Sequence, residues 1–194
     1  MPDSLLKGRI NLDRAVVLLL DDSRESMSVL VQILSGFGVK SLHRCRTEAA
    51  ARQIVLGHEV DLVIADANGE GSDSYEFVRW LRRSRMQPNA MAPVILVSGH
   101  SKLSNVQRAR DCGADFIVAK PLSPTVLLER IVWVAREQRS YIDCETYTGP
   151  DRRFHDQGPP EGMAGRRQDD DATGDPLADL SNVGRPKLSR SAAR

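Results

Sequence analysis

The chain has 194 residues, three cysteines and a formal net charge of +1, a balance that argues neither for nor against a nucleic acid partner. Its longest apolar run, Ala15–Leu20, is far shorter than the roughly 20 residues of a membrane span, and residues 1–14 lack the continuous apolar segment of a secretory signal. The cysteines are odd in number and form no CxxC pair, which favours free thiols over disulfides or a metal site, so we expect a cytoplasmic protein.

Five short apolar runs predict five strands. The first, Ala15–Leu20, is apolar throughout, which is typical of a strand that is covered on both faces. The other four lie at Val39–His43, Asp61–Ala65, Val94–Val97 and Asp115–Ala119.

A segment with helical spacing of apolar residues follows each predicted strand. Ser23 and Thr47 are predicted to cap the first and second helices, and Ser123 with Pro124 opens the fifth, which reaches about Gln138. The spacing is carried by Met27, Leu30, Ile33, Leu34 and Phe37 in the first helix, by Tyr75, Val78, Trp80 and Leu81 in the third, and by Leu103, Val106, Ala109 and Cys112 in the fourth. Four arginines are expected on the solvent side of the third helix, namely Arg79, Arg82, Arg83 and Arg85.

The five-fold alternation of strand and helix predicts a parallel sheet with helices on both faces. Because crossovers are right-handed, few topologies remain, and we expect an α/β, flavodoxin-like, doubly wound sheet of five parallel strands in the order 2-1-3-4-5 with five helices. This domain is predicted to cover residues 15–140, after an N-terminal leader at residues 1–14. Residues 141–194 are rich in Gly, Pro, Asp and Arg without apolar periodicity, so they are predicted to be a disordered tail.

Polar side chains follow four of the predicted strands at the point where each strand ends. Asp21 and Asp22 follow the first strand, Asp66 the third, Ser98 the fourth and Lys120 the fifth. The carboxyl ends of parallel strands share one edge of the sheet, so these side chains should meet there. Two carboxylates about 4 Å apart repel by about 4 kcal/mol at an effective dielectric of about 20, and such a cluster suits Mg²⁺. The alternative is that the first two acids only cap the first helix.

Residues 15–138 resemble a CheY-like response-regulator receiver domain. The motifs that carry the resemblance occur in order and at the spacing of that family, and they are Leu20-Asp21-Asp22-Ser23, Ile64-Ala65-Asp66, Val97-Ser98-Gly99, Gly113-Ala114-Asp115 and Ala119-Lys120-Pro121.

The resemblance implies a role for each residue of the predicted site. Asp66 would accept a phosphoryl group from the phosphohistidine of a sensor histidine kinase or a histidine phosphotransfer protein. Asp22 and Asp66 would bind Mg²⁺ directly, with Asp21 acting mainly through water and Asn68 through its backbone carbonyl. The phosphoryl oxygens would be bound by Lys120 and Ser98.

Two departures from the family pattern and one histidine bear on the expected switch. Gly69 and Glu70 stand where many receivers have Met-Pro, and His100 lies two residues beyond Ser98, where receivers tune dephosphorylation. Ile117 occupies the position of the family's switch aromatic. The neighbouring Phe116 should point to the opposite face of the sheet, because successive strand residues alternate.

These observations predict a response regulator of a two-component system or phosphorelay, switched by phosphorylation on Asp66. Its output would act through a downstream protein or a dimer, without nucleic acid or membrane contact. We do not expect a metabolic enzyme, and at most autophosphatase activity. One alternative is a receiver-like scaffold that works without phosphorylation. The other is a small flavodoxin-like enzyme, although the first strand–helix turn lacks a glycine-rich phosphate loop.

Overall fold

The computed structural model describes residues 12–67, 73–99, 103–136 and 139–151, all of which belong to the unit Met1–Arg152. The strands are β1 (Val16–Leu20), β2 (Ser41–Cys45), β3 (Leu62–Asp66), β4 (Val94–Ser98), β5 (Phe116–Ala119), β6 (Tyr141–Cys144) and β7 (Tyr147–Pro150). The helices are α1 (Arg24–Gly36), α2 (Glu48–Gly57), α3 (Ser74–Arg83), α4 (Leu103–Cys112) and α5 (Pro124–Arg136), with a 3₁₀ helix at Asn89–Met91.

The first five strands form one parallel sheet in the order β2-β1-β3-β4-β5, which confirms the predicted topology. Leu20 of β1 pairs with Cys45 of β2 and with Ala65 of β3. Ser98 of β4 pairs with Ala119 of β5. The carboxyl ends of the five strands therefore lie along one edge of the sheet.

The core has two layers because successive strand residues point to opposite faces of the sheet. One layer packs Leu18, Val63 and Leu96 against the apolar sides of α2, α3 and α4. The other packs Leu19 and Ile64 against α1 and α5. Both faces are thus covered, as the apolar strands require.

The helix caps set where the loops at the sheet edge turn into helices. Ser23 and Thr47 cap α1 and α2 as predicted, accepting hydrogen bonds from the backbone N–H of Ser26 and Ala50. Asp73 caps α3, an assignment that the sequence pattern did not provide. Among the described residues, no helix is long and apolar enough to span a membrane.

β2 lies two residues beyond its predicted position. Its pairing with β1 runs from Ser41 to Cys45, whereas the apolar pattern predicted Val39–His43. Val39 is buried, but it belongs to the turn after Gly38, which has a φ of 89°. The apolar pattern thus placed the strand at Val39, which is buried in the turn, and not at the more polar Ser41–Cys45, which pairs with β1.

The antiparallel hairpin of β6 and β7 corrects the prediction of disorder for residues 141–150. The hairpin needs no core of its own because it packs on the domain: Tyr147 is buried, and the Tyr141 ring lies 5.4 Å from the Arg82 guanidinium. A Cβ built on Gly113, which has a φ of 94°, would lie 2.9 Å from the Thr148 carbonyl oxygen. The rest of the predicted tail, and residues 1–11 of the predicted leader, lie outside the described residues.

Arg82 is buried, so its predicted place on the solvent side of α3 was wrong. Its guanidinium donates to Asp115 Oδ2 and to the Gly113 carbonyl, each at 2.9 Å. It also donates to the carbonyls of Ala90 and Ala92 at 2.8 and 2.7 Å. These partners satisfy a charge that burial would otherwise make costly.

Candidate functional site

Three carboxylates meet where β1 and β3 end. Asp66 is the last residue of β3, and Asp21 and Asp22 directly follow its neighbour β1. One carboxylate oxygen from each residue lies within 4.8 Å of the other two. We call this cluster of Asp21, Asp22 and Asp66 the acidic corner. The structure thereby brings together the three acids that the sequence placed at one edge.

Burial and mutual repulsion make the acidic corner unfavourable for negative charge. Asp21 and Asp66 are 2% and 6% exposed. Burial raises the pKa of Asp21, and the nearby Asp66 charge adds to the rise, while hydrogen bonds from Ser26 and Ser23 and the charge of Lys120 oppose it. A cation in the corner would relieve this repulsion.

The donor set of the corner fits a hard divalent cation. Asp21 Oδ1 accepts a hydrogen bond from the Ser23 N–H at 2.9 Å. Asp21 Oδ2 is buried, and no described residue donates a hydrogen bond to it. An orphaned carboxylate oxygen beside two further carboxylates matches the all-oxygen coordination of Mg²⁺. The carbonyl of Asn68, the fourth predicted ligand, lies outside the described residues.

Lys120 supplies a cation next to Asp66. Its Nζ atom lies 3.0 Å from Asp66 Oδ2, although β4 separates the strands that carry the two residues. The Lys120 N–H donates to the Ser98 carbonyl at 2.7 Å, which continues the pairing of β5 with β4. Asp66 is thus in contact with a positive charge on one side and close to two acids on the other.

Ser98 ends β4 at the same edge and is 1% exposed. Asn105 of α4 lies with its Nδ2 atom 3.5 Å from Ser98 Oγ. Ser98, at the carboxyl end of β4, therefore contacts α4.

Sequence reasoning did not predict the contacts that two further side chains make at the site. Ser74 Oγ donates to the Asp66 carbonyl at 2.5 Å, and Arg46 donates twice to the Asp22 carbonyl. Both bind backbone atoms, so no pattern of charged or metal-binding residue types identifies them. For Arg46, the available signal was its place directly after a strand that pairs with β1.

The predicted modulators have different outcomes. Gly69, Glu70 and His100 lie outside the described residues. Ile117 is partly buried and packs against the core layer of α2, α3 and α4. Phe116 packs in the opposite layer, with its ring centroid 5.5 Å from that of Trp133. The predicted inversion of Phe116 relative to Ile117 is therefore confirmed.

The arrangement can perform two chemical tasks. Its carboxylate oxygens can bind a divalent cation, and the Asp66 carboxylate can act as a nucleophile toward an electrophilic group whose negative charge is balanced by Lys120. Both tasks depend on the register that aligns the ends of β1, β3, β4 and β5.

Comparison with known proteins gives a consistent family signal. Residues 17–132 match the family model described as the response regulator receiver domain. The chain is 30% identical over 154 residues to the transcriptional regulatory protein GltR of Pseudomonas aeruginosa, a match that covers 73% of this chain and 62% of that protein. It is 26% identical over 136 residues to the cell cycle response regulator CtrA of Brucella ovis, covering 69% of this chain and 55% of that protein. The matches thus span less than two thirds of the length of these curated relatives.

Solved structures show the same fold. The receiver domain of a signal transduction histidine kinase from Syntrophus aciditrophicus is similar with a TM-score of 0.55 and 27% identity, over 68% of this chain and 98% of that one. The chemotaxis response regulator CheY4 of Vibrio cholerae has a TM-score of 0.55 and 24% identity, over 62% of this chain and 98% of that one. The family match ends at residue 132, before the β6–β7 hairpin begins.

Proposed function

Because the chain belongs to the response regulator receiver domain family of two-component systems, we propose that it is a phosphorylation-controlled switch whose acceptor is Asp66. The observation that carries the proposal is the acidic corner, with three carboxylates within 4.8 Å and Lys120 Nζ 3.0 Å from Asp66 Oδ2. Domains of this family generally act in signalling without enzymatic activity, so the family membership favours a signalling role over the alternative of a flavodoxin-like enzyme.

The proposed donor is the phosphohistidine of a sensor histidine kinase or a histidine phosphotransfer protein in the cytoplasm. A carboxylate oxygen of Asp66 forms a bond to phosphorus, the bond between phosphorus and the donor imidazole nitrogen breaks, and the imidazole recovers a proton from water. The product is an acyl phosphate on Asp66. Lys120 is close enough to Asp66 to balance the charge that the phosphoryl group adds.

Asp21, Asp22 and Asp66, with the backbone carbonyl of Asn68, are the proposed Mg²⁺ ligands. Bound there, Mg²⁺ neutralises the carboxylates and the phosphoryl oxygens. The chain's own contribution is to hold the ligands in place: Ser23 fixes one Asp21 oxygen, and Ser74 fixes the Asp66 carbonyl.

Ser98 is the proposed donor to the phosphoryl group, because it ends the strand between those of Asp66 and Lys120. A change in its hydrogen bonding would reach α4 through Asn105, which it contacts. Shifting a two-state equilibrium from 1:99 to 99:1 requires about 5.5 kcal/mol of differential stabilisation. The charge-assisted contacts of a phosphoryl group with Lys120 and Mg²⁺ are of the kind that can supply it. Output would pass to a downstream protein or a dimer.

The altered residues around the site are proposed to tune this switch. Ile117 provides no aromatic ring, so the proposed switch depends on Ser98 and α4 and not on an aromatic rotamer. Gly69, Glu70 and His100 are proposed modulators of phosphoryl lifetime and partner choice.

Intact mass after treatment with acetyl phosphate and Mg²⁺ tests the proposal. We expect a phosphate-sized gain in the wild type, no gain in Asp66→Asn, and an unchanged gain in Asp111→Asn, which alters an exposed acid of α4. Labelling that persists in Asp66→Asn would refute the acceptor assignment. A wild type that gains no mass would favour the scaffold that acts without phosphorylation.

Lys120→Ala separates phosphorylation from its output. The variant is expected to keep the fold and to lose the coupling between phosphorylation and partner binding, measured as the change in partner affinity on phosphodonor treatment. Unchanged coupling would contradict the proposed role of the lysine.

A further inference from the structure

Arg46 connects two loops at the edge of the acidic corner. It directly follows β2, and its side chain reaches the loop after β1. There its Nε and Nη2 atoms donate to the carbonyl oxygen of Asp22 at 3.2 and 2.9 Å. A single carbonyl is thus held by two donors of one planar guanidinium, a geometry that restricts both distance and orientation.

Arg46 contacts the acidic corner at Asp22, which belongs to neither a strand nor a helix. On one side, the Asp21 N–H donates to the Cys45 carbonyl at 3.0 Å and so extends the β1–β2 pairing by one step. On the other, Ser23 begins the cap of α1. Asp22 lies between these two fixed points, outside both strand and helix, and is only half-buried. Arg46 fixes the backbone there.

Charge and geometry predict opposite effects of this arginine on a bound cation. A guanidinium beside the acidic corner repels a divalent cation, so removing the charge alone should tighten metal binding. A guanidinium that fixes the Asp22 backbone holds the Asp22 carboxylate in place before the metal binds, which lowers the conformational entropy cost of coordination. Removing the guanidinium should therefore weaken Mg²⁺ binding. The sign of the change therefore identifies which role dominates.

We propose that Arg46 is a positioning residue of the acidic corner, which holds the Asp22 backbone so that its carboxylate is ready to bind Mg²⁺. This inference rests on one part of the proposed function, namely that the acidic corner binds Mg²⁺. Arg46 touches neither the metal ligands' carboxylates nor the phosphoryl group in this role. It acts through the Asp22 carbonyl alone.

Calorimetric titration of Mg²⁺ into the full chain, without a phosphodonor, tests the proposal. We expect Arg46→Ala to raise the dissociation constant about 10-fold, as changes in residues that support metal ligands commonly do. Arg46→Lys retains the charge but replaces the planar fork with a single ammonium, so it should also weaken binding, by less than alanine does. Arg44→Ala removes an equal charge from an exposed β2 position and should bind close to the wild type.

A second measurement separates positioning from general damage. The Arg46 hydrogen bonds are exposed, so urea unfolding of Arg46→Ala in chelator should match the wild type within about 0.5 kcal/mol. Phosphorylation of this variant by acetyl phosphate should be slow at the Mg²⁺ concentration that half-saturates the wild type and should recover when Mg²⁺ is raised about 10-fold.

The outcomes are decisive in both directions. Arg46→Ala that binds Mg²⁺ as tightly as the wild type, or more tightly, would overturn the proposal, and tighter binding would leave the guanidinium with a purely electrostatic effect. If Arg46→Lys binds Mg²⁺ with the same dissociation constant as the wild type, the two-donor geometry of the guanidinium has no role in positioning Asp22. A wild type that binds no Mg²⁺ also overturns the proposal. Failure of the proposed function is recognised separately, since it is read from the intact mass of the wild type and of Asp66→Asn after phosphodonor treatment and not from the titration.

Discussion

The repulsion within the acidic corner predicts that Asp21→Asn stabilises the protein when divalent cations are absent. The three carboxylate oxygens lie within 4.8 Å of one another, and two charges at that separation repel by about 3.5 kcal/mol at an effective dielectric of about 20. The half-buried Asp22 is better screened, and the charge of Lys120 offsets part of the repulsion. We therefore expect a net gain of about 1–3 kcal/mol in the free energy of unfolding.

The same argument fixes the pH dependence. The pKa of Asp21 is raised in the folded protein, so the folded state binds its proton more tightly than the unfolded chain. The wild type consequently loses stability as the pH rises from the unfolded value of 3.8 through the raised folded value. The advantage of Asp21→Asn should be full at neutral pH and should vanish below the unfolded pKa, where Asp21 is protonated in both states.

Urea unfolding in chelator and in Mg²⁺ measures both effects. At about 100 times its dissociation constant, Mg²⁺ should stabilise the wild type by about 2.7 kcal/mol, and it should stabilise the variant less. Asp111→Asn, at an exposed position, should change stability by no more than about 0.5 kcal/mol. If Asp21→Asn is less stable than the wild type in chelator, its hydrogen bond with the Ser23 N–H outweighs the repulsion, and the reasoning fails.

Two further predictions concern the rest of the domain. Arg82→Ala removes the cation that contacts Asp115, whose side chain is only 12% exposed, so it should lower the free energy of unfolding by about 3–5 kcal/mol in urea titrations, and a loss below about 1 kcal/mol would contradict this. In thiol labelling at pH 8 the native protein should react at Cys144 alone and the denatured chain at all three cysteines. Cys45 and Cys112 are buried, and burial raises the pKa of both thiols, to about 11 for Cys112, so rapid labelling of a second native thiol would refute their burial.

Much of the fold could be predicted because local signals and tertiary packing agree. The strands β1, β3 and β4 are apolar and buried on both faces, so their apolarity alone located them. The site residues follow from the same pattern, because a polar residue directly after such a strand must lie at the edge of the sheet. Asp66 and Lys120 were paired in this way although 54 residues separate them.

The features that sequence reasoning missed depend on contacts without a local signature. The partners of Arg82 are mainly backbone carbonyls, which any residue type can provide. The register of β2 is set by its pairing with β1 and not by its own apolarity. The β6–β7 hairpin packs against α3 and α4, and its own composition, which resembles that of a disordered segment, carries no signal of that contact.

The β6–β7 hairpin and the acidic corner lie at opposite ends of the parallel sheet. Arg82, under the hairpin, contacts Asp115, and Asp115 accepts a hydrogen bond from the N–H of Val94, where β4 starts. The acidic corner lies at the opposite edge of the sheet, where β1 and β3 end, and a strand of five residues is about 16 Å long. A phosphodonor that docks over the acidic corner would therefore approach the domain at the end of the sheet opposite the hairpin.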